Sequence, residues 1–375
     1  MDNELKIYFQ KIQNQMDEFN KQISFEQNSI EYSNKLNEIV NDVVKEVESS
    51  DQERLKNEFF GFGPIEVLIA DDSITEILVN SDKSIYFERN GKIQQHNDHF
   101  YSPLSYRNCI QRLLEKIGYT VSLEKPFCDF KYKDFRVSIV DDCISHDSTV
   151  ISLRRHSREK WSLDRLFELS WCNSTELSLL KKIIQLQKNF LVIGSTGEGK
   201  TTVVNALLSE TDSYERSLII EDTQEIQLPN SLSIRLLTRD ETQNGLCSVD
   251  QGQLVKRALR LRPDRLVMGE IRGNEAKDFI MALSTGHRGS FGTLHAKDPQ
   301  QALLRLEMLI QMGAPHWKLS AIRRLLSLSL DLIIATKKDS SGQRKLEGIY
   351  RINSLEENGF LIERLSFDHI PSDFF

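Results

Sequence analysis

Apolar residues recur at steps of three and four at the start of the chain, at Ile7, Phe9, Ile12, Met16 and Phe19, and again at Ile39, Val43, Val44 and Val47. That spacing places an apolar stripe on one side of each of several amphipathic helices. Residues 1–50 contain no Gly or Pro, and their ten acidic and five basic residues carry −5 of the net charge of −7. Pattern alone leaves two uses for these helices: a small bundle packed on its own chain, or a docking arm for a partner protein. The pattern changes at "GFGPIEVLIADDSITEILVNSDKSIYFERNGKI", residues 61–93, where short β-branched and aromatic runs lie between turn residues. "RNG" at 89–91 predicts a hairpin turn, and the stretch from about 55 to 145 predicts an α+β domain on an antiparallel sheet. "STVISLRRHSREKWSLDRL", 148–166, predicts a strand leaving that domain, a polar linker and a helix start at Ser162. The expected division is 1–50, a helical N-terminal segment; 51–147, an α+β domain; 148–174, a linker; and 175–375, a second α/β domain.

The second domain contains "LVIGSTGEGKTTVVNALL", 191–208: an apolar strand, a glycine-rich loop and a helix in immediate succession. Gly194 to Thr201 satisfies G-x-x-x-x-G-K-[ST] in the strand-loop-helix context that pattern requires. Glycines at 194, 197 and 199 let backbone N–H groups turn toward phosphate oxygens, and the helix start presents its positive dipole end to them. The predicted phosphate site is Gly194, Ser195, Thr196, Gly197, Glu198, Gly199, Lys200, Thr201 and Thr202. Lys200 reaches the β- and γ-phosphates and the Thr201 hydroxyl serves Mg²⁺.

Such a loop needs carboxylates for the metal and the attacking water. "SLIIEDTQEIQL", 217–228, delivers Glu221, Asp222 and Glu225 after an apolar run, and "DRLVMGEIRGNEA", 264–276, delivers Glu270 after another. Acidic residues after parallel strands converge on the ligand side of an open sheet. Asp264 precedes its strand and is expected at the opposite end, capping or pairing with an arginine. "TGHRGSFGTLHA", 285–296, adds His287 and His295 among glycines, as candidate bases, ligands or phosphate sensors.

These four segments, in this order, resemble the Walker A, Asp box, Walker B and His box of the type II/type IV secretion ATPase superfamily. The likeness spans roughly 55 to 350 and includes "LLRLEMLIQMGAPHWKLSAIRRLLSLSLDLIIATK" at 303–337. The length of the first domain and the lack of a tetracysteine zinc module bring it nearer the tight-adherence pilus and type IV secretion branches. The resemblance implies a RecA-like P-loop NTPase domain preceded by a PAS-like α+β domain. It implies ATP and Mg²⁺ as cofactors, Glu221 and Glu270 at water and metal with Thr201, and His287 and His295 as γ-phosphate sensors. Arginines from the first domain act on the phosphates in this family, and the matching positions are Arg136, Arg154 and Arg155, with Arg239 from the second domain. Departures exist: Glu198 and Ser195 replace small residues of the loop, and Lys131 replaces a common arginine. An acidic side chain facing bound phosphate is repulsive, so Glu198 is expected to point to solvent or pair with a base.

The implied function is an ATPase motor, a hexamer on the cytoplasmic face of the inner membrane that drives pilus assembly or secretion through a platform protein. Membrane association is expected through partners, and no stable nucleic-acid complex is expected. The net charge of −7 argues against a chain that coats nucleic acid. The basic run "KRALRLRPDR" at 256–265 keeps a nucleic-acid-translocating hexamer as an alternative, and the altered P-loop keeps a nucleotide-binding regulatory switch as another. With 375 residues and 39% hydrophobic content the chain can fill two or three domain cores. The richest apolar stretch, "LLSLSLDLIIA" at 325–335, is shorter than a spanning helix and contains Asp331. "MDNELKIYFQ" lacks the pattern of a secretory leader, so a cytosolic chain is expected. Cys109, Cys128, Cys143, Cys172 and Cys247 are scattered without a C-x-x-C pair, and His96 and His99 lack companions at ligand spacing, so neither set predicts a metal site.

Overall fold

The computed structural model describes residues 2–22, 29–49, 51–145, 147–155, 160–239, 247–356 and 359–365. The chain divides into two compact units, Met1–Ser157 and Arg158–Phe375.

The first unit begins with three helices, α1 (Asp2–Gln22), α2 (Ser29–Val44) and α3 (Gln52–Phe59). Leu5, Phe9, Ile12 and Met16 of α1 are buried against Ile39, Val40, Val43 and Val44 of α2 and against Leu55 and Tyr101. The stripe read from the sequence is therefore used within the chain. Ile7, read as part of that stripe, lies 66% exposed, because two helical positions from Phe9 and Leu5 points it to another side.

A short helix α4 (Glu66–Ala70) leads to a sheet of six strands, β1 (Ile74–Ser81), β2 (Ser84–Arg89), β3 (Lys92–Gln95), β4 (Phe127–Tyr132), β5 (Phe135–Val140) and β6 (Val150–Arg155). Helix α5 (Pro103–Glu115) crosses between β3 and β4, and a one-turn helix α6 (Asp142–Ser145) precedes β6. The spatial order is β3-β2-β1-β6-β5-β4, with every neighbouring pair antiparallel. Asn90 and Gly91 form the two-residue turn between β2 and β3 with positive φ of 54° and 73°, the geometry that favours Asn-Gly. β6 comes from the stretch expected to link the domains, and it lies inside the sheet between β1 and β5. The polar residues 156–159, expected in that linker, lie outside the described residues.

The second unit opens with α7 (Leu163–Glu168), capped by the Ser162 hydroxyl accepting from the Arg165 N–H at 3.1 Å. Helix α8 (Ser174–Gln185) starts with a capping box between Asn173 and Glu176. The sheet contains β7 (Phe190–Gly194), β8 (Ser217–Glu221), β9 (Ile234–Leu237), β10 (Arg265–Met268), β11 (Phe291–His295), β12 (Leu332–Lys338), β13 (Arg344–Glu356) and β14 (Gly359–Arg364). Its order is β14-β13-β12-β7-β11-β10-β8-β9; the six strands from β12 to β9 are parallel, and β13 and β14 add an antiparallel edge. Helices α9 (Lys200–Leu208), α10 (Gln251–Ala258), α11 (Glu275–Ser284), α12 (Pro299–Gly313) and α13 (Leu319–Ser329) complete the unit. All five residues of β7 and of β8 are buried, so these strands read as continuous apolar runs rather than alternations. One core gathers α10 to α13 against the sheet and a second gathers α7, α8 and α9. Helices thus cover both faces, and the parallel strands end together on one edge.

Candidate active site

That shared edge is where the chemistry-bearing residues meet. Gly194 ends β7 and is the register partner of His295 at the end of β11. Glu221 ends β8, and Glu270 follows β10 by two residues. Register therefore brings together residues up to 101 positions apart.

The loop from Gly194 to Lys200 closes over the first turn of α9. Gly199 caps that helix at φ +88°, a left-handed backbone open to glycine with little strain. Lys200 is buried and its Nζ donates to the carbonyls of Gly194 at 3.0 Å and Ser195 at 3.1 Å, curling the lysine back along its own loop. Burial lowers its affinity for a proton, while the nearby Glu270 and Glu198 act to raise it; the net shift is downward. Glu198 does not turn to solvent or pair with a base. Its carboxylate folds back and accepts from the Ser195 N–H, because the loop itself supplies a donor that helix and sheet leave unused. The Thr336 hydroxyl of β12 donates to the Glu198 carbonyl at 3.0 Å and accepts from the Trp171 indole N–H at 3.2 Å. Arg344 of β13 donates through Nε to the Gly197 carbonyl at 3.1 Å.

From Lys200 an unbroken polar chain crosses the strand ends. The Lys200 Nζ lies 3.1 Å from His295 Nδ1, and His295 Nε2 lies 3.1 Å from Glu270 Oε1. Burial, then the Lys200 charge, hold His295 below its usual value, which favours the neutral imidazole. A neutral ring accepting from Lys200 at Nδ1 donates from Nε2 to Glu270, which fixes the tautomer. Glu270 also accepts from Arg272 at 2.5 Å. Burial works to raise the Glu270 carboxyl, but Arg272, His295 and Lys200 together hold it below the ordinary range, an ionised acceptor. Arg272 lies 4.0 Å from Asp222, whose Oδ1 accepts from Gln251 at 2.8 Å and from the Thr238 hydroxyl at 3.1 Å. Gly269 precedes Glu270 for a packing reason: an added Cβ there would lie 2.9 Å from the Glu221 Cγ.

The remaining expected residues divide. Glu221 does not face the loop. One carboxylate oxygen accepts from the N–H groups of Glu225 at 2.9 Å and Ile226 at 2.8 Å, and the other from Arg235 at 2.9 Å, so the side chain is consumed in holding the turn after β8. Burial outweighs these partners and pushes its pKa up to about 7. The carboxylate that meets the P-loop is Glu225, whose Oε2 lies 3.4 Å from the Thr201 hydroxyl. Asn205 of α9 ties the same turn down by accepting from the Gln227 N–H at 2.7 Å. Thr202 lies half-buried beside Thr201 on the first turn of α9, and Thr196 is exposed at the loop apex. His287 precedes β11 and bonds to the Ala282 carbonyl at 3.1 Å, at the opposite end of the strand from His295. A strand rises about 3.3 Å per residue, which separates the two histidines by the full depth of the sheet. Of the two histidines expected to sense the γ-phosphate, only His295 stands at the loop end of β11.

Arg239 donates to the Cys247 carbonyl at 3.0 Å and pairs its backbone with Val249. In the first unit, Arg155 is spent on structure, donating to the carbonyls of Ile74, Ile69 and Asp71 and stacking over Phe135 at 4.3 Å. Arg136 and Arg154 differ. They are register partners on the face of the sheet away from its core, and Lys131 is the partner of Arg136 on the next strand. On its other side Arg154 has Glu76 of β1 as its register partner, so the basic row is bordered by an opposite charge. The basic run at 256–265, which leaves α10 and enters β10, partly pairs at home: Lys256 meets Asp278 at 3.1 Å, and the buried Arg265 meets Glu215 at 2.8 Å. Asp264 accepts from the Arg216 N–H at 2.7 Å, at the end of the sheet away from the loop. Arg272, Arg344 and Thr336 were not picked out by sequence reasoning. Arg272 stands two residues after Glu270 and was open to it; the other two lie over 130 residues from the loop they touch.

Among the described residues no group of three or more His, Cys, Asp or Glu side chains forms a metal cage. The Thr201 hydroxyl and Glu225 carboxylate instead offer a few hard oxygens, the set that suits Mg²⁺ completed by phosphate and water. No helix among the described residues is long and apolar enough to cross a membrane.

Comparison with known proteins places this geometry. Residues 128–341 match the family described as Type II/IV secretion system protein. The chain is 27% identical to the conjugal transfer protein TrbB of Rhizobium radiobacter over 297 residues, 76% of this chain and 85% of that one. It is 34% identical to the type IV secretion system protein VirB11 of Bartonella quintana over 183 residues, 48% of this chain and 51% of that one. Among solved structures, the Legionella pneumophila ATPase DotB shares the fold at TM-score 0.54 and 17% identity, over 76% of this chain and 78% of that one. With the nucleotide loop, the carboxylate after β10 and the histidine after β11 on one sheet edge, and a family match across more than half of its length, the chain belongs to the type II/IV secretion ATPase family.

Proposed function

We propose that this chain is one subunit of a hexameric motor that hydrolyses Mg²⁺-ATP to drive a secretion, conjugation or pilus apparatus. The observation that carries the reading is the continuous contact from Lys200 through His295 to Glu270 and Arg272, next to a P-loop. In this reading the second unit is RecA-like, the first is PAS-like, and the ring sits on the cytoplasmic face of the inner membrane against a platform protein.

Loop N–H groups and Lys200 bind the phosphates. Thr201 and Glu225 would hold Mg²⁺, which would supply charge neutralisation to the phosphates. Glu270, kept ionised by Arg272, orients the attacking water and takes its proton. His295 links the phosphate-binding lysine to that carboxylate, so a γ-phosphate drawing on Lys200 alters the hydrogen bond Glu270 receives. Arg136 and Arg154, as the family resemblance implies, supply positive charge to the transition state. Glu221 positions the turn that carries Glu225.

The test is Mg²⁺-dependent ATP hydrolysis as a function of protein concentration, with Lys200→Ala as the blank. Specific activity that rises steeply with concentration and vanishes in the variant supports sites completed between chains. Activity that is flat with concentration rejects the ring. Strong stimulation by single-stranded DNA that fades with salt would favour a nucleic-acid motor instead.

A further inference from the structure

Both carboxylate oxygens of Glu270 are engaged. Oε1 lies 3.1 Å from His295 Nε2, and Oε2 accepts from Arg272 Nη2 at 2.5 Å. An oxygen already neutralised by a guanidinium at that distance is a poor acceptor for a water proton, so the residue suited to activate water is held by its own neighbour. Only the arginine side chain makes this hold. The backbone at Arg272 is pinned by the buried Glu275, whose Oε1 accepts from the N–H groups of Arg272 at 2.6 Å and Gly273 at 2.7 Å. The Arg272 side chain is 53% exposed, so solvent rather than packing surrounds much of it.

A second carboxylate stands beside the other terminal nitrogen of the same guanidinium. Asp222, one residue past the end of β8, has its Oδ2 4.0 Å from Arg272 Nη1. Its Oδ1 accepts from Gln251 Nε2 at 2.8 Å and from the Thr238 hydroxyl at 3.1 Å, which orients the carboxylate with Oδ2 toward the arginine. Gln251 is buried as the first residue of α10, so a regular element sets that orientation. The 4.0 Å gap is too long for a hydrogen bond, and rotation of the long arginine side chain can close it.

We infer that Arg272 is a two-position clamp, resting on Glu270 and moving to Asp222 to free Glu270 Oε2 for the attacking water, with Asp222 as the positioning residue that receives it. The inference rests on the reading of Glu270 as the group that takes the water's proton. No covalent bond changes in the exchange. One charge-assisted hydrogen bond replaces another, so the guanidinium is paired in both positions and the two states lie close in free energy. Without Asp222 the arginine would have to enter water unpaired before Glu270 could act.

The test is turnover of Mg²⁺-ATP by the full chain carrying Asp222→Asn, Arg272→Gln and the two together. Asn keeps the shape of Asp and the acceptor used by Gln251 and Thr238, and removes the charge that draws the arginine. Asp222→Asn is expected to lower kcat about tenfold or more, the size of a lost charge-assisted hydrogen bond, with KM for ATP within about twofold. Arg272→Gln removes the clamp and should turn over faster than Asp222→Asn. In the Arg272→Gln background, Asp222→Asn should change kcat by less than about twofold, because no arginine remains for it to receive. A merely structural Asp222 would lower kcat by the same factor in both backgrounds, and that result overturns the clamp. So does parental kcat in Asp222→Asn, or an Arg272→Gln variant slower than Asp222→Asn. Parental turnover in Glu270→Gln would instead remove the reading of Glu270 itself, and the clamp with it.

Discussion

Two glutamates that look equivalent in the sequence have opposite fates. Glu270 follows a strand by two residues, stays ionised and faces Lys200 through His295, whereas Glu221 ends the neighbouring strand and is buried by the turn that follows it. Glu270→Gln is expected to lower kcat by a factor of about 100 or more while ATP still binds, measured by turnover alongside titration. Glu225→Gln should raise the Mg²⁺ concentration needed for half-maximal turnover, with little change in melting temperature. Glu221→Gln should do the reverse. The Glu221 pKa is raised from 4.5 to about 7, so the folded chain holds this proton more tightly than the unfolded chain. The stability it contributes is full below pH 4.5 and is lost as pH rises through about 7, on the order of 3 kcal/mol. Melting curves between pH 5 and 7.5 check this: the variant should have a flatter dependence than the parent, and an identical slope would exclude the assignment.

At the scale of elements, the P-loop is held from both sides. Below it lie β7 and α9, which the sequence announces. Above it lies the β12–β13 hairpin, which reaches the loop through Thr336 and Arg344. Thr336→Val keeps the shape but leaves the Trp171 N–H and the Glu198 carbonyl short of a partner in a buried place, costing about 1–3 kcal/mol. The expected result is a lower melting temperature and a several-fold higher KM for ATP with kcat nearly unchanged, since the loop is displaced and the water-activating residues are not. A kcat loss with KM unchanged would contradict the strut. The strand ends were legible in the same uneven way. Short buried runs before Glu221 and Glu270 gave the strands, but not that the turn after β8 folds over its own glutamate. That fold-back depends on Arg235 and on Asn205, each supplied by a different element.

At the scale of the whole molecule, the ends of four parallel strands gather the site, while Arg136 and Arg154 stand on a different sheet in the other unit. If both arginines act on the phosphates, Arg136→Ala and Arg154→Ala should each lower kcat by about 10- to 1000-fold, with melting temperature nearly unchanged. Arg155→Ala should instead lower the melting temperature, since its guanidinium bridges the carbonyls of three residues. Measuring turnover and melting together separates the two outcomes.

By itself the sequence determined the local parts. Glycine spacing and the strand-loop-helix order specify a phosphate loop, three- and four-residue periodicity specifies the helices that close α1 onto α2, and "RNG" specifies a tight hairpin, because each depends on backbone conformation and near neighbours. Only the tertiary structure decided which residues meet. Parallel register put His295 beside Gly194 and sent His287 to the far end of the same strand. It turned Glu198 onto Ser195 and brought Arg344 across 147 positions to the loop. Such contacts follow from strand order and from unused backbone donors and acceptors seeking partners, and neither quantity is written in any local stretch of the chain.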